Sequence, residues 1–547
     1  MSNHFKFTFS VFATLAVSVT ALAAVKGKTM FYYNAYDAAF YPKKQAVSES
    51  NYTSIYLDRN HLAEKPIDTL VFSPSLGFGA IAGFVPSATY PKFQPMGDSR
   101  YMAGWKNAMP EMEKQKLDPI AVTVKWCRTH KKEAVVALPL NFQCVHCGPI
   151  DPKNKGRSMP NGFFTFLYSD FQKQNPTCLM APDPETIIGL CNYRSPGATA
   201  CDFGQEKVRA KYSSIACEII AKYSIDGFMV DLANSPTIFR SVASGGTALA
   251  KECEALTQML LKIKQACTTK GVTLMVRVPD SLNYCKEIGI DLQAWLDQKI
   301  PDYVMLGTHF QLCRWNEVGD LVKKAGIPYG IAMYESGILV ANDSGNSNDD
   351  ERVPRNSVQA CRARMADALM CKADSAMFVM GTHWYVSLPP SAVSAYDPKE
   401  IRTGDKRYFV CYTDDRVADT FLKNGRKHRT LPSLLSGATV DLSKGPSKNQ
   451  IYLWDDFNAL KKDNIEYRTV LITEIEIPSG IETIITFNGK PVTCFKKQSG
   501  TQRYELPPGF CKQGANEVVI KTKGKNKRGG IARLGNICVE VTFPKKK

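Results

Sequence analysis

The chain has 547 residues, of which 44% are hydrophobic and 22% are charged, and its formal net charge is +17. The length exceeds that of one ordinary domain, and the composition excludes an intrinsically disordered chain. Positive charge favours anionic polymers as partners, such as sulfated or uronic-acid polysaccharides. Nucleic acid would also suit the charge, but no nucleic-acid-binding motif is present. Solubility alone would account for the charge equally well.

The first 24 residues predict an export signal. Lys6 supplies a basic start, Phe9–Ala21 is an uncharged apolar run, and a small-x-small cleavage pattern ends at Ala23. We expect cleavage near Ala23/Ala24 and a secreted or periplasmic protein. An uncleaved membrane anchor is disfavoured because the apolar run is too short to span a bilayer, so no integral membrane span is predicted.

The cysteines allow two interpretations. There are 17, so they cannot all pair within the chain. Export permits disulfides, whose connectivity the sequence does not reveal. Cys217, Cys253 and Cys361 fall in helix-like stretches and suit buried free thiols. The motif Cys144-x-His146-Cys147 has no second pair of ligands at zinc-site spacing, so we expect no metal and no cofactor.

Eight short apolar runs follow the leader, separated by helical patterns. Apolar runs without alternation are typical of strands buried on both faces, as in a parallel sheet. Helical spacing of apolar residues predicts helices over Glu206–Tyr223, Leu249–Cys267 and Gln359–Lys372. Strand-then-helix repeated eight times predicts an α/β fold of the (β/α)₈ TIM barrel type. The runs are Met30–Asn34, Thr69–Ser73, Ala134–Leu140, Gly227–Leu232, Val272–Val278, Tyr303–Gly307, Tyr329–Tyr334 and Ala376–Met380.

The pattern changes after about residue 430, where strand-like alternation replaces helical spacing. Phe487-Asn488-Gly489-Lys490 is a hairpin-turn signal. We therefore predict three parts: a signal peptide at 1–24, a barrel with its connecting segment at 25–430, and a C-terminal antiparallel β-sandwich at 431–547. The predicted sandwich strands are Val440–Leu442, Thr469–Ile477, Ile481–Asn488, Glu517–Thr522 and Ile537–Phe543.

Polar side chains stand at the ends of the predicted barrel strands, where barrel enzymes carry their active sites. Asp231 ends the fourth strand and is the strongest candidate, as nucleophile, general base or acid. Glu335 after the seventh strand is its expected partner carboxylate, and Asp280 after the fifth is the alternative. Paired carboxylates with hydroxyl-binding groups and an aromatic surface suit the cleavage of a sugar chain. The candidate substrate-binding residues are Asn34, Asn141, His146, Asn234, Arg277, His309, His383 and Trp384.

Each candidate has a structural alternative. Asp231 could hydrogen-bond loop amides, and Glu335 could form a salt bridge at the rim. Histidines such as His309 and His383 are more often substrate-binding or satisfied rim residues than general bases. Trp384 could pack beneath loops instead of binding sugar.

Several motifs resemble a glycosyl-hydrolase-like barrel family of exported proteins from Planctomycetes, Verrucomicrobia and Lentisphaerae. In that family a "DF…VR" helix leads into "YD(V/I)DGIELD". Here Asp202-Phe203 and Val208-Arg209 precede the stretch from Tyr223 to Asp231. The further matches are Arg277-Val278-Pro279, Gly289-Ile290-Asp291-Leu292, Trp295, Asp302, Ala373-Asp374, Phe487-Asn488-Gly489-Lys490 and Gly514-Ala515-Asn516-Glu517.

The resemblance implies a glycosidase barrel followed by a sandwich, with two departures. Relatives often carry "RMNDxHD" after the third strand, whereas this chain keeps Asn141, places a histidine at His146 and lacks the arginine and the aspartate. An arginine often follows the position of Asp231, where this chain has Asn234. The sequence thus predicts a secreted glycoside hydrolase acting on a complex polysaccharide. The alternative is a non-catalytic glycan-binding or surface protein with a degenerate barrel.

Overall fold

The computed structural model describes most of the chain after the predicted leader. The described residues are 29–34, 40–58, 62–64, 67–74, 105–141, 170–180, 200–334, 357–379, 398–413, 415–431, 440–498, 500–524 and 532–544.

Eight parallel strands form a closed barrel. Each strand pairs with its neighbours in chain order, and the first pairs with the eighth to close the ring. All eight predicted strands are confirmed. Each is an apolar run because a strand of this barrel is buried on both its helix-facing side and its interior side. The strands are β1 Thr29–Asn34, β2 Thr69–Ser73, β3 Glu133–Pro139, β4 Gly227–Asp231, β5 Thr273–Val278, β6 Tyr303–Leu306, β7 Tyr329–Tyr334 and β8 Ser375–Val379.

The barrel interior is filled by side chains from alternate strand positions. Five methionines contribute to it: Met30, Met229, Met275, Met305 and Met377. The flexible thioether side chain of methionine fills irregular gaps well. The interior is therefore a packed core, and a site can form only at the mouth where the strands end.

Helices cover the barrel, and the three helices predicted from spacing are confirmed as Glu206–Lys222, Ala250–Lys270 and Val358–Met370. Gly271 ends the second of these in the left-handed conformation that glycine adopts readily. The other α-helices within the described ranges are Glu49–Tyr52, Met109–Gln115, Pro119–Thr129, Asp170–Gln174, Arg240–Ala243, Leu282–Glu287, Leu292–Asp297, Trp315–Lys324, Pro398–Thr403 and Phe457–Lys462. Two short strands, Phe40–Pro42 and Trp105–Asn107, pair outside the barrel.

Two antiparallel sheets form the C-terminal sandwich. One has the strand order Lys406–Phe409, Arg533–Thr542, Arg468–Glu476, Thr501–Leu506 and Cys494–Gln498, with Val440–Asp441 beside Arg533–Thr542. The other has the order Ser447–Leu453, Gly514–Gly524, Ile481–Phe487 and Lys490–Pro491. The hairpin predicted at Asn488-Gly489 is confirmed, since both residues have positive φ, at 49° and 76°. The strands are β9 Lys406–Phe409, β10 Val440–Asp441, β11 Ser447–Leu453, β12 Arg468–Glu476, β13 Ile481–Phe487, β14 Lys490–Pro491, β15 Cys494–Gln498, β16 Thr501–Leu506, β17 Gly514–Gly524 and β18 Arg533–Thr542.

The first sandwich strand lies earlier in the chain than the predicted boundary at residues 430/431. Strand β9 pairs with β18, so that Lys406 stands opposite Val541. The buried Lys406 ammonium and the Tyr408 hydroxyl both donate to Asp455, each at 2.8 Å. A four-residue strand whose partner lies at the far end of the chain gives no local signal. The sheet therefore includes residues from the predicted range 25–430, which comprised the barrel and its connecting segment.

The sandwich packs directly on the barrel. The helix Val358–Met370 covers the outer face of the β9-containing sheet, where Ala360 meets Phe409 and Ile472 in one apolar cluster. The Arg314 guanidinium lies 3.3 Å from the centre of the Tyr452 ring and donates to Asp367. These contacts join the two parts into one packed unit.

Beyond β9, the chain returns to the barrel mouth through what we name the bridging segment, residues 410–413 and 415–431. At one end, the Val410 amide donates to Ile537 of β18. At the other end, the amides of Thr430 and Leu431 donate to the carbonyl of Leu312, in the loop after β6. The bridging segment thus connects the last sandwich strand with the rim of the barrel.

Candidate functional site

Asp231, the last residue of β4, lies at the centre of the barrel mouth. Its Oδ1 accepts hydrogen bonds from the amides of Ala233 and Asn234, both at 3.0 Å. Its Oδ2 accepts from the Tyr32 hydroxyl and from Arg277, both at 3.1 Å. A carboxylate has about four lone-pair positions, so these four donors saturate it. Two of the four are backbone amides and one is a guanidinium, groups that can only donate.

Arg277 supplies the positive charge beside Asp231. It lies on β5 in register with Asp231, and neither side chain has any exposed surface. Its Nε donates to the Gly307 carbonyl at 3.0 Å, and its guanidinium lies 5.8 Å from the Tyr32 ring centre. Residues from β1, β4 and β5, together with Gly307 after β6, therefore meet at one ion pair. Of these residues, the sequence had identified only Asp231 and Arg277 as candidates.

The loop after β4 is held by residues that follow β6. Thr308 Oγ1 donates to the Ala233 carbonyl at 2.6 Å, and His309 Nε2 lies 2.8 Å from the Asn234 carbonyl. Because a carbonyl only accepts, Nε2 of His309 carries the proton. Asn234 therefore acts here through its main chain, linking Asp231 on one side to His309 on the other.

His309 is a neutral imidazole in the physiological pH range. Burial and, to a lesser extent, the charge of Arg277 together lower the pKa of His309 to about 4, although the hydrogen bond to Asn234 opposes the shift. The ring stacks on Phe421 of the bridging segment, with centroids 6.5 Å apart and an interplanar angle of 16°. His309 is thus suited to hydrogen bonding and not to carrying charge.

Asp280, which the sequence offered as the alternative to Glu335, hydrogen-bonds to the loop after β6. It is fully buried, and its carboxylate accepts from the amides of Leu312 and Cys313 at 3.1–3.3 Å. Burial is the largest effect and raises the pKa of Asp280 to about 7, while these backbone hydrogen bonds oppose the rise. The geometry describes a carboxyl group that holds the loop after β6.

Asn141 likewise supports backbone. Its Nδ2 donates to the carbonyls of Cys201 and Thr237 at 3.0 and 3.2 Å, and its Oδ1 accepts from the Cys201 amide at 3.0 Å. The side chain is 2% exposed. It ties the chain after β3 to the loop after β4, and its three hydrogen bonds within the described residues are to main-chain atoms.

Several predicted site residues cannot be placed. Glu335, His146, His383 and Trp384 lie outside the described residues, as does the side chain of Asn34. Their assignments remain predictions, and so does the Asp231–Glu335 pair.

The described residues include 14 cysteines, all with free thiols. In the same ranges, no group of three or more His, Cys, Asp or Glu residues is arranged to hold a metal ion. Nor does any helix described there combine the length and apolarity needed to cross a membrane.

Two contributors to the site were missed at the sequence level. Tyr32 lies in an apolar run, but its alternation with Met30 would have placed both residues in the barrel interior. Phe421 had no detectable signal, because the return of the bridging segment to the mouth depends on its distant pairing with the sandwich.

Comparison with known proteins gives similarity of fold only. No protein-family model matches the chain, and no curated protein sequence matches it. Similar solved structures include α-L-fucosidase isoenzyme 2 from Paenibacillus thiaminolyticus, at 11% identity and a TM-score of 0.39 over 67% of this chain and 48% of that one. The chain thus spans about half of that fucosidase.

Two further structures are similar at the same level. A chitinase from Chromobacterium violaceum aligns at 11% identity and a TM-score of 0.33, over 68% of this chain and 97% of that one. A GH20 exo-β-N-acetylglucosaminidase from Vibrio harveyi aligns at 9% and 0.36, over 68% and 53%.

Proposed function

We propose that this protein is a secreted glycoside hydrolase that acts on a complex polysaccharide. The observation that supports this best is the carboxylate of Asp231 at the C-terminal end of β4, held by Tyr32 and Arg277 at the mouth of a closed parallel barrel. Barrel enzymes place their chemistry at this end of the strands, and glycoside hydrolases use carboxylates there.

The hydrogen bonds restrict the role of Asp231. Among the described residues its hydrogen-bond partners are two backbone amides, the Arg277 guanidinium and the Tyr32 hydroxyl. Three of these can only donate, so the group is suited to act as nucleophile, base or fixed negative charge and not as the proton donor. To attack a sugar, one of its lone pairs must be released by a donor, and of the two donors to Oδ2 the Tyr32 hydroxyl is the one without a formal charge. The proton donor would be a second carboxyl group, for which Glu335 remains our candidate.

Export and an anionic substrate belong to the same proposal. The leader before residue 25 supports export, and the net charge of +17 supports an anionic polymer. If charge drives recognition, binding weakens steeply between low and physiological salt, because charges are screened within about 8 Å at 0.15 M. Salt-insensitive binding to a neutral glycan would remove the anionic substrate from the proposal.

A glycan-binding protein without catalysis is the second candidate. It is favoured by the saturation of Asp231, whose charge is already balanced by Arg277 and whose side chain has no exposed surface. The missing arginine and aspartate near Asn141 agree with it. A barrel of this kind could hold a sugar chain at its rim without cleaving it.

One experiment separates the candidates. The mature protein is incubated with sulfated, uronic and neutral polysaccharides, and both released reducing ends and bound polysaccharide are measured, with a folded Asp231→Asn variant in parallel. Release by the wild type that falls by several orders of magnitude in the variant supports the hydrolase. Binding without release supports the second candidate, and neither binding nor release across the panel contradicts both.

A further inference from the structure

The bridging segment delivers an aromatic side chain to the site. Phe421 is 2% exposed, and its ring stacks nearly parallel on the His309 imidazole. It also contacts Phe310, with ring centroids 6.2 Å apart. His309 therefore lies between the loop after β4 and a residue that no barrel strand or helix carries.

Phe421 is held in place from several directions. Its carbonyl accepts from Thr237 Oγ1 at 2.9 Å, in the loop after β4. The Tyr284 hydroxyl donates to the Ala418 carbonyl at 3.1 Å, three residues earlier. Gly425 packs so closely that an added Cβ would lie 2.6 Å from the same carbonyl. The main chain on both sides of Phe421 is consequently held in place, and this fixes the position of its ring.

The orientation of His309 affects the surroundings of Asp231. The proton on Nε2 engages the Asn234 carbonyl, and the Asn234 amide donates to Asp231. A rotated ring, or a neutral ring with its proton on Nδ1, would leave that buried carbonyl without this donor. A residue that fixes the plane of the His309 ring therefore also helps to fix the loop after β4, whose amides donate to Asp231.

We infer that Phe421 is a positioning residue, which fixes the plane and the Nε2–H tautomer of His309. It acts through His309 on the loop after β4, and it is itself anchored through the bridging segment to β18. The relevance of this to sugar cleavage rests on the proposed function, but the positioning role does not.

The test follows His309 directly by NMR of the full chain with isotope-labelled histidine. The chain has only seven histidines, and a His309→Gln variant identifies the signal. In the wild type we expect an Nε2–H ring that titrates near pH 4. In Phe421→Ala, water reaches the ring, and we expect its pKa to rise by at least about one unit because loss of burial favours the charged form.

Two variants separate positioning from general destabilisation. Phe421→Tyr keeps a stacked ring and should retain the wild-type titration and tautomer. Lys427 also lies in the bridging segment, where it forms an ion pair with Glu287 of the barrel. Lys427→Ala removes this ion pair and should leave the titration and tautomer of His309 unchanged. If Phe421→Ala does not fold, Phe421→Leu, which removes the ring but keeps an apolar cover, replaces it.

Unchanged His309 signals in the folded Ala or Leu variant would overturn the inference. So would an equal shift in Lys427→Ala, because the effect would then belong to the segment and not to the ring. None of these readouts requires turnover. A chain that cleaves no polysaccharide can still pass, so failure of the positioning role and failure of the hydrolase proposal remain distinguishable.

Discussion

Arg277 and Asp231 form an ion pair at 3.1 Å in which neither side chain has any exposed surface. Two charges can be buried in this way only when each is paired and hydrogen-bonded. Removing one partner leaves the other charge buried and uncompensated, so the pair links the stability of the barrel to the integrity of the site.

Asp231→Asn should therefore destabilise the protein as well as abolish turnover. The amide nitrogen of asparagine must face one of four hydrogen-bond donors, and Arg277 loses its counter-charge. Breaking a buried pair costs about 3–5 kcal/mol, to be measured by denaturant unfolding. The double variant Asp231→Asn, Arg277→Met should recover part of that loss. A single variant as stable as wild type would show that the ion pair is not buried in solution.

Tyr32→Phe should be more destabilising than Tyr303→Phe. Both hydroxyls donate inside the barrel, but Tyr32 donates to the Asp231 carboxylate and Tyr303 donates to the neutral Ser375 hydroxyl at 2.7 Å. Hydrogen bonds to charged groups contribute about 1.5–3 kcal/mol and neutral ones about 0.5–1.5 kcal/mol. Equal losses in urea unfolding would argue that Tyr32 does not engage a charged Asp231.

Asp280→Asn should change how stability depends on pH. Burial raises the pKa of Asp280 to about 7 from an ordinary value of 3.8. Between these values the folded chain keeps a proton that the unfolded chain has released, so the wild-type free energy of unfolding loses this contribution as pH rises towards 7. Asparagine does not titrate.

The unfolding free energy of Asp280→Asn relative to wild type should consequently increase from pH 4 to pH 7 and stay level above that. Taking this difference cancels the contributions of all other titrating groups. A difference that does not vary with pH would mean that Asp280 ionises normally in the fold.

Asn141→Ala should lower stability without a selective effect on substrate affinity. The substitution removes three hydrogen bonds and leaves main-chain groups of Cys201 and Thr237 buried. Unsatisfied buried groups cost about 1–3 kcal/mol each, so the melting temperature should fall clearly. A rise in KM at unchanged melting temperature would instead support the predicted role of Asn141 in substrate binding.

The sequence predicted the barrel well because its strands are encoded locally. The strand Thr273–Val278, for example, contains the continuous apolar run Leu274–Val276, because the strand is buried on both faces. Arg277 and Asp231 were recognisable because each is a charged residue at the end of an apolar run, where a purely structural role is uncommon.

The surroundings of those residues were not predictable in the same way. Asp280 and Asn141 are also polar residues at strand ends, yet their partners are loop amides and carbonyls. Which backbone group meets a side chain depends on loop geometry, and hydrophobic periodicity contains no information about loops. The same limit explains the missed strand β9, whose partner β18 is distant in the sequence.

The pairing of Lys406 with Val541 has a consequence for the order of folding. All eight barrel strands are complete by residue 379, so the barrel can close while the rest of the chain is still being synthesised. Strand β9 acquires its sheet partner only when the last strand arrives, and contacts this distant in sequence form slowly. Until then the bridging segment lacks the hydrogen bond from the Val410 amide to the Ile537 carbonyl of β18. A chain shortened by its final strand would thus have a closed barrel with an unfinished mouth.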